Sequence, residues 1–252
     1  MATAPLRSAQ GRPLFRRWGR LALDLLFPPR CAVCGAMGAF LCPACLSSMP
    51  GALPPRCPVC WRPGRFTPAC ESCREQPPAF RALRAPYLMA GAARDAVHAL
   101  KYSHFSALAE DMGRLMAEFA ASSDPSGLSP LGRSLDADLV VPVPLHGRRR
   151  RSRGYNQSAL LARAVGGALG LPVNEGALVR RRDGPRQARA ASAEERRRNV
   201  EGAFLGRSGL EGSRVLLIDD VTTTGATLDA CARALREAGT SSVCCLAFAR
   251  ED

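Results

Sequence analysis

Apolar positions along this chain change period several times, and each change marks an element. Leu14, Trp18, Leu21 and Leu25 recur at helical spacing with Phe15, Ala22 and Leu26 beside them, while Arg16, Arg17, Arg20 and Asp24 share the other side. That pattern predicts an amphipathic helix, ended by Pro28 and Pro29. Such a helix either docks on its own domain or lies, basic side outward, on a membrane surface or a partner. From Cys31 to Cys73 no period holds, and cysteine and proline dominate. "LRAPYLMAG" (83–91) then predicts a strand and "RDAVHALKY" (94–102) a short helix. "ALAEDMGRLMAEFAAS" (107–122) predicts a helix with Leu108, Met112, Leu115, Met116 and Phe119 on one face. Residues 122–134 read as a loop by composition.

Beyond that loop the pattern alternates. Strands are expected at 137–145, 171–179, 214–219 and 242–249, and helices at 155–169 and 227–237, with a long arginine-rich connection before the third of these strands. Continuous apolar strands alternating with helices predict an α/β fold, a parallel sheet flanked by helices. In such sheets ligands sit at the carboxyl ends of strands. "DDVTTTG" falls at one such end and "PLHGRRRRSRGYNQ" at another. The chain therefore divides into a helical lead-in (1–27), a cysteine unit (28–78) and an α/β domain (79–252).

Eight of the eleven cysteines form four C-x2-C knuckles: Cys31 and Cys34, Cys42 and Cys45, Cys57 and Cys60, Cys70 and Cys73. Two such knuckles complete a four-thiolate shell for one tetrahedral ion, so the unit predicts two structural zinc ions. Disulfides or an iron-sulfur cluster are the competing readings. Adjacent knuckles are expected to pair, with a cross-braced pairing as the alternative. So short a segment has little core of its own, and structural zinc contributes on the order of 10 kcal/mol or more to its folding. Cys231, Cys244 and Cys245 fall in a predicted helix and strand and read as buried small hydrophobes.

No run of about eighteen apolar residues occurs. The apolar patch at 21–27 contains Asp24 and lacks a small-residue cleavage site, so a cytoplasmic location is expected. The formal charge of +13 is concentrated between residues 140 and 200, where fourteen arginines stand against four acidic residues. That bias reads as a site for a polyanion, nucleic acid or polyphosphate, or as a solvated basic face. Lys101 is the chain's only lysine. It marks either a place that needs a compact ammonium or a chance survivor of arginine-biased composition.

"VLLIDDVTTTGAT" (215–227) sets two adjacent carboxylates, Asp219 and Asp220, before a hydroxyl-rich turn and a helix. A P-loop is excluded, because Lys101 follows no glycine-rich loop. A receiver-type phosphoacceptor has no need of the Thr222–Thr224 run. The amides of a helix N-terminus, its dipole and several hydroxyls do suit a phosphate monoester, with Gly225 letting the backbone approach. The neighbouring carboxylates then accept hydrogen bonds from vicinal sugar hydroxyls.

Along all thirteen residues this stretch resembles the phosphoribosyl pyrophosphate (PRPP) motif of type I phosphoribosyltransferases. The resemblance implies that Asp219 and Asp220 bind the ribose hydroxyls and that Thr222, Thr223, Thr224, Gly225, Ala226 and Thr227 bind the 5-phosphate. The cysteine unit, "HALKY", "VPVPLHGRRRRSRGYNQ", "RQARAASAEERRRNVEGAF" and the PRPP motif, in that order, resemble the ComF family from about Leu26 to Phe248. By that resemblance the fold is a double zinc ribbon joined to a type I phosphoribosyltransferase-like domain. The ligand would be PRPP with Mg2+, and the setting DNA uptake in natural competence.

The enzymes so resembled displace Mg2+-bound pyrophosphate from C1 of PRPP. Their pyrophosphate turn would fall at 144–156, where Arg148 and Arg153 are candidates. Their mobile catalytic loop would fall at 180–199, with Arg186, Gln187, Arg196 and Asn199 as candidates, and Lys101 and Tyr102 beside them. Two functional readings follow. One is a PRPP-dependent transferase of unassigned acceptor, with Asp219, Asp220, Arg196 and Lys101 at its centre. The other is a binding module for single-stranded DNA or DNA-uptake proteins, in which the arginines meet phosphates and Tyr102 and Tyr155 stack on bases.

Overall fold

The computed structural model describes residues 28–102, 105–122, 136–145, 147–181, 200 and 202–252, with the side chains of 148–150 left undescribed. The predicted N-terminal helix lies outside these residues. So do most of the loop after residue 122 and the connection at 182–199.

A parallel sheet organises the α/β domain. Its strands are β1 (Ala82–Arg84), β2 (Tyr87–Leu88), β3 (Leu139–Pro142), β6 (Arg214–Thr222) and β7 (Ser242–Arg250). The order is β1-β7-β6-β3, with β2 also pairing on β7, and every pairing is parallel. Pro86 cannot donate to a ladder, and the single strand expected at 83–91 is broken into β1 and β2 around it.

Helices cover both faces. On one lie α3 (Gly91–Tyr102), α4 (Leu108–Ala121) and α6 (Gln157–Leu169), whose Leu100, Met112, Met116, Leu161 and Val165 bury against Leu216, Ile218 and Phe248. On the other lies α7 (Ala226–Glu237), whose Leu228 and Leu235 pack with Val215, Leu217 and Val243. Successive residues of β6 thus enter opposite cores, as a two-residue period requires. The helices α4 and α6 touch through Gly113, where a Cβ would come within 2.4 Å of the Ala164 methyl.

Two expectations are corrected. The strand placed at 171–179 is not one parallel strand: Val173 makes an isolated bridge to Val140, and β4 begins only at Leu178. β4 (Leu178–Arg180) instead pairs antiparallel with β5 (Phe204–Gly206). The cause is local, since the Asn174 side chain accepts the Gly176 N–H at 3.0 Å and turns the chain between them. The stretch after β3 is also not all loop, because Gly147–Arg153 forms a short helix, α5.

The cysteine unit contributes two one-turn helices, α1 (Pro43–Ser47) and α2 (Glu71–Glu75), and packs against the domain. Leu41, Cys45 and Met49 join the core beneath α3. Gly51 bridges to Tyr87, and the Trp61 indole donates to Ala85 O at 3.0 Å. No helix among the described residues is long and apolar enough to cross a membrane.

Candidate functional site

Two features carry chemistry: a pair of thiol clusters and an acidic pair beside an open helix end. Cys31, Cys34, Cys42 and Cys45 bring their sulfurs within 4.8 Å of one another, and Cys57, Cys60, Cys70 and Cys73 do the same. Adjacent knuckles therefore pair, and the cross-braced arrangement is excluded. A tetrahedron with metal–sulfur bonds near 2.3 Å has edges of about 3.8 Å. The Cys34–Cys42 and Cys60–Cys70 sulfurs lie 3.6 Å apart, so both sets fit zinc.

Backbone amides support the sulfurs, Cys42 N–H donating to Cys31 Sγ at 3.5 Å and Cys70 N–H to Cys57 Sγ at 3.4 Å. Burial pushes these two thiols up, but the donated amides outweigh it and hold Cys31 at about 6 and Cys57 at about 7. The two ribbons also repeat one another. "PRCAVCG" and "PRCPVCW" make the same turn, with Gly35 N–H to Cys31 O at 2.9 Å and Trp61 N–H to Cys57 O at 3.0 Å. Trp61 therefore takes a left-handed φ of +63°, where Gly35 has +77° in the first copy. The sequence reading counted the cysteines without noticing this repeat. The three remaining cysteines are buried as expected, and burial pushes the Cys231 and Cys245 thiols well up.

The acidic pair stands at the carboxyl end of β6, which runs on through Asp219 and Asp220 to Thr222. Thr222 is thus a strand residue, and its hydroxyl is buried with no hydrogen-bond partner among the described residues. The turn proper is Thr223–Gly225, and α7 begins at Ala226. Gly225 caps α7 in the left-handed region at φ +81°. Thr224 Oγ1 accepts the Ala226 N–H at 3.3 Å, and Thr227 falls in the first helical turn.

Two other elements converge on the carboxylates. Lys101, at the end of α3, places its ammonium 3.0 Å from Asp220 Oδ2. Ser158, in the first turn of α6, donates to Asp219 Oδ1 at 2.8 Å, and the Asp220 N–H donates to the same oxygen at 2.9 Å. Removal from water, and then the charge of Asp220, push Asp219 up to about 7; Ser158, the Asp220 amide and Lys101 pull the other way. The lone lysine is therefore brought to the acidic pair. Ser158 was missed, although its place just inside a predicted helix start was a usable signal.

Arg153 ends α5 and stacks its guanidinium 4.9 Å from the Tyr102 ring centre, donating to the Tyr102 hydroxyl at 3.2 Å. Tyr155 donates to Leu100 O at 2.5 Å, tying the same corner to α3. The Arg148 side chain, and all of Arg186, Gln187, Arg196 and Asn199, lie outside the described residues. A cavity of about 480 Å³ opens between the stretch after β3 and the β4 arm, lined by Pro144, Tyr155, Asn156, Arg180 and Arg207 among others.

Comparison with known proteins gives matches in both halves. Residues 22–74 match the double zinc ribbon domain and residues 155–251 the phosphoribosyl transferase domain. DNA utilization protein YhgH of Salmonella typhi is 30% identical over 227 residues, covering 89% of this chain and 91% of that protein. Competence protein F of Haemophilus influenzae is 36% identical over 109 residues, covering 42% of this chain and 47% of that protein. Among solved structures, the glutamine PRPP amidotransferase from B. subtilis is 25% identical over 57% of this chain and 26% of its own, with a TM-score of 0.36. The fold assignment rests on the domain match and the parallel sheet, not on that superposition.

Proposed function

Because the chain belongs to the ComF family, which joins a double zinc ribbon to a type I phosphoribosyltransferase-like domain, we propose that it binds PRPP with Mg2+ at the β6–α7 junction. The observation that carries this reading is the acidic pair lying next to an open, glycine-capped helix end. One ligand uses both halves: a ribose 5-phosphate, its vicinal hydroxyls on Asp219 and Asp220 and its phosphate on the turn from Thr223 to Thr227.

Arg153, stacked on Tyr102, would meet the pyrophosphate together with Arg148, while Arg196 belongs to the stretch read from sequence as the mobile catalytic loop. Mg2+ is a hard cation suited to pyrophosphate and carboxylate oxygens, and it would neutralise charge on the leaving group. The chain's own residues do the rest. Ser158 and the Asp220 amide orient Asp219, and Lys101 balances the charge of two adjacent acids. The names of the relatives, DNA utilization protein YhgH and Competence protein F, support a setting in DNA utilization and competence.

One observation favours a sensor over a transferase. Lys101 already occupies an oxygen of Asp220, so ligand entry displaces an internal ion pair before any chemistry begins. On this second reading PRPP switches a module that engages DNA or uptake proteins. Thermal shift separates binding from none: PRPP at about 100 times its Kd adds about 2.7 kcal/mol of stability, and ribose 5-phosphate without Mg2+ should add less. Pyrophosphate release on adding candidate acceptors then separates turnover from sensing. No shift with millimolar PRPP and Mg2+ would refute both readings.

A further inference from the structure

Beyond the apolar contacts of Trp61 and Val59, the second ribbon is tied to the sheet by hydrogen bonds from buried arginines, whereas the first joins the core beneath α3 through apolar residues. Three successive carbonyls of the Cys57–Cys60 knuckle accept hydrogen bonds from the sheet. Pro58 O accepts from Arg84 Nη1 at 2.8 Å, Val59 O from the Leu83 N–H at 2.8 Å, and Cys60 O from Arg250 Nη1 at 2.7 Å. Arg84 and Arg250 are only 8% and 5% exposed, and they are the two buried arginines among the described residues. Arg56, whose side chain is 5% exposed, donates to Trp61 O at 2.9 Å. The Arg84 guanidinium also lies 4.6 Å from the Trp61 ring centre.

Three guanidiniums and one carboxylate meet here. Asp252 accepts from Arg56 at 2.6 and 3.0 Å and from Arg250 at 2.8 Å, while Arg84 donates to the Pro58 and Leu83 carbonyls. The set is two positive charges in excess. Burying uncompensated charge is costly, and removal from water pushes Arg84 down to about 10. Four thiolates around one Zn2+ carry the two negative charges that complete the balance. Among the described residues the first cluster has no buried arginine beside it, and its Cys34 is exposed.

We propose that Arg84, Arg250 and Arg56 form an outer guanidinium cage for the second zinc, neutralising its thiolates and making it the slowly exchanging ion, whereas the first zinc is the labile one. The cage also fixes what the second ribbon touches. Its Arg62, Ser72 and Cys73 line a cavity of about 40 Å³ together with Thr224, Gly225 and Ala226 of the anion turn. The retained ion is thus the one that shapes the wall of that turn. The proposal does not depend on PRPP being the ligand.

The test uses the full chain loaded with both zinc ions and mixed with excess 4-(2-pyridylazo)resorcinol. Absorbance reports zinc release. Fluorescence in a Trp18→Phe background reports Trp61, which directly follows Cys60. Two phases of equal amplitude are expected, the slow one coinciding with the Trp61 change and the fast one lost in Cys34→Ser. Arg84→Met should speed the slow phase by about tenfold or more, the usual cost of losing an outer-shell partner. Arg84→Lys should recover much of that loss by restoring the charge, which a purely structural role would not predict. If Arg84→Met does not fold, Arg250→Met, verified by circular dichroism, carries the same expectation. Single-phase release, or a slow phase unmoved in the folded variants, would overturn the proposal.

Discussion

Replacing Asp219 by asparagine should make the protein more stable, and increasingly so as pH rises. Asp219 is held up to about 7, whereas an unfolded aspartate titrates near 3.9. Between those values the folded chain keeps a proton that the unfolded chain has shed, so Asp219 lowers stability as pH rises through this window. At 1.36 kcal/mol per unit, the penalty is on the order of 2 kcal/mol at pH 5.5 and about 4 kcal/mol at pH 8.5. Asparagine copies the protonated form. Both bonds to Asp219 end on the one oxygen, Oδ1, so an amide oxygen can accept from Ser158 and from the Asp220 N–H unchanged. Urea unfolding of the zinc-loaded protein at pH 5.5, 7 and 8.5 should show the Asp219→Asn advantage widening by about 2 kcal/mol across the series. An advantage that stays constant, or shrinks as pH rises, would refute the argument that burial beside Asp220 strains this carboxylate. The predicted penalty is a cost accepted for ligand binding, as stability often yields to function at sites.

Other perturbations report on the same corner. Lys101→Met removes the ammonium 3.0 Å from Asp220 and should cost about 1.5–3 kcal/mol at pH 8, measured by urea midpoint. Ser158→Ala should raise Asp219 further and move the pH midpoint of PRPP affinity to more alkaline values, read by calorimetry across pH. Gly225→Ala should cost about 1–2 kcal/mol in thermal unfolding through its left-handed φ of +81° alone, since the added Cβ meets Leu83 at an ordinary 3.4 Å.

The sheet was legible because its strands are continuous apolar runs, and β6, β7 and their flanking helices stand within a few residues of their expected bounds. The residues from 171 to 181 misled. Apolar content around Leu171, Val173 and Leu178 suggested one parallel strand, whereas the Asn174 turn and the antiparallel pairing of β4 with β5 are set by local chemistry and distant partners. The two four-cysteine clusters were legible, because knuckle spacing dictates which thiols meet. The cage of Arg56, Arg84 and Arg250 was not, since these arginines are far apart in sequence and look like any others in an arginine-rich chain. Lys101 was flagged by its rarity and by the "HALKY" stretch; its partner is supplied by the packing of α3 against the sheet, which no local pattern encodes.

Isothermal titration with PRPP in the presence and absence of Mg2+ tests the account of the β6–α7 junction most directly. Saturable, Mg2+-dependent binding is predicted for the wild-type chain, and its loss for Asp219→Asn combined with Asp220→Asn in a protein that keeps both zinc ions. Absence of heat at millimolar PRPP in the wild-type chain, or binding that survives the double substitution, would contradict it.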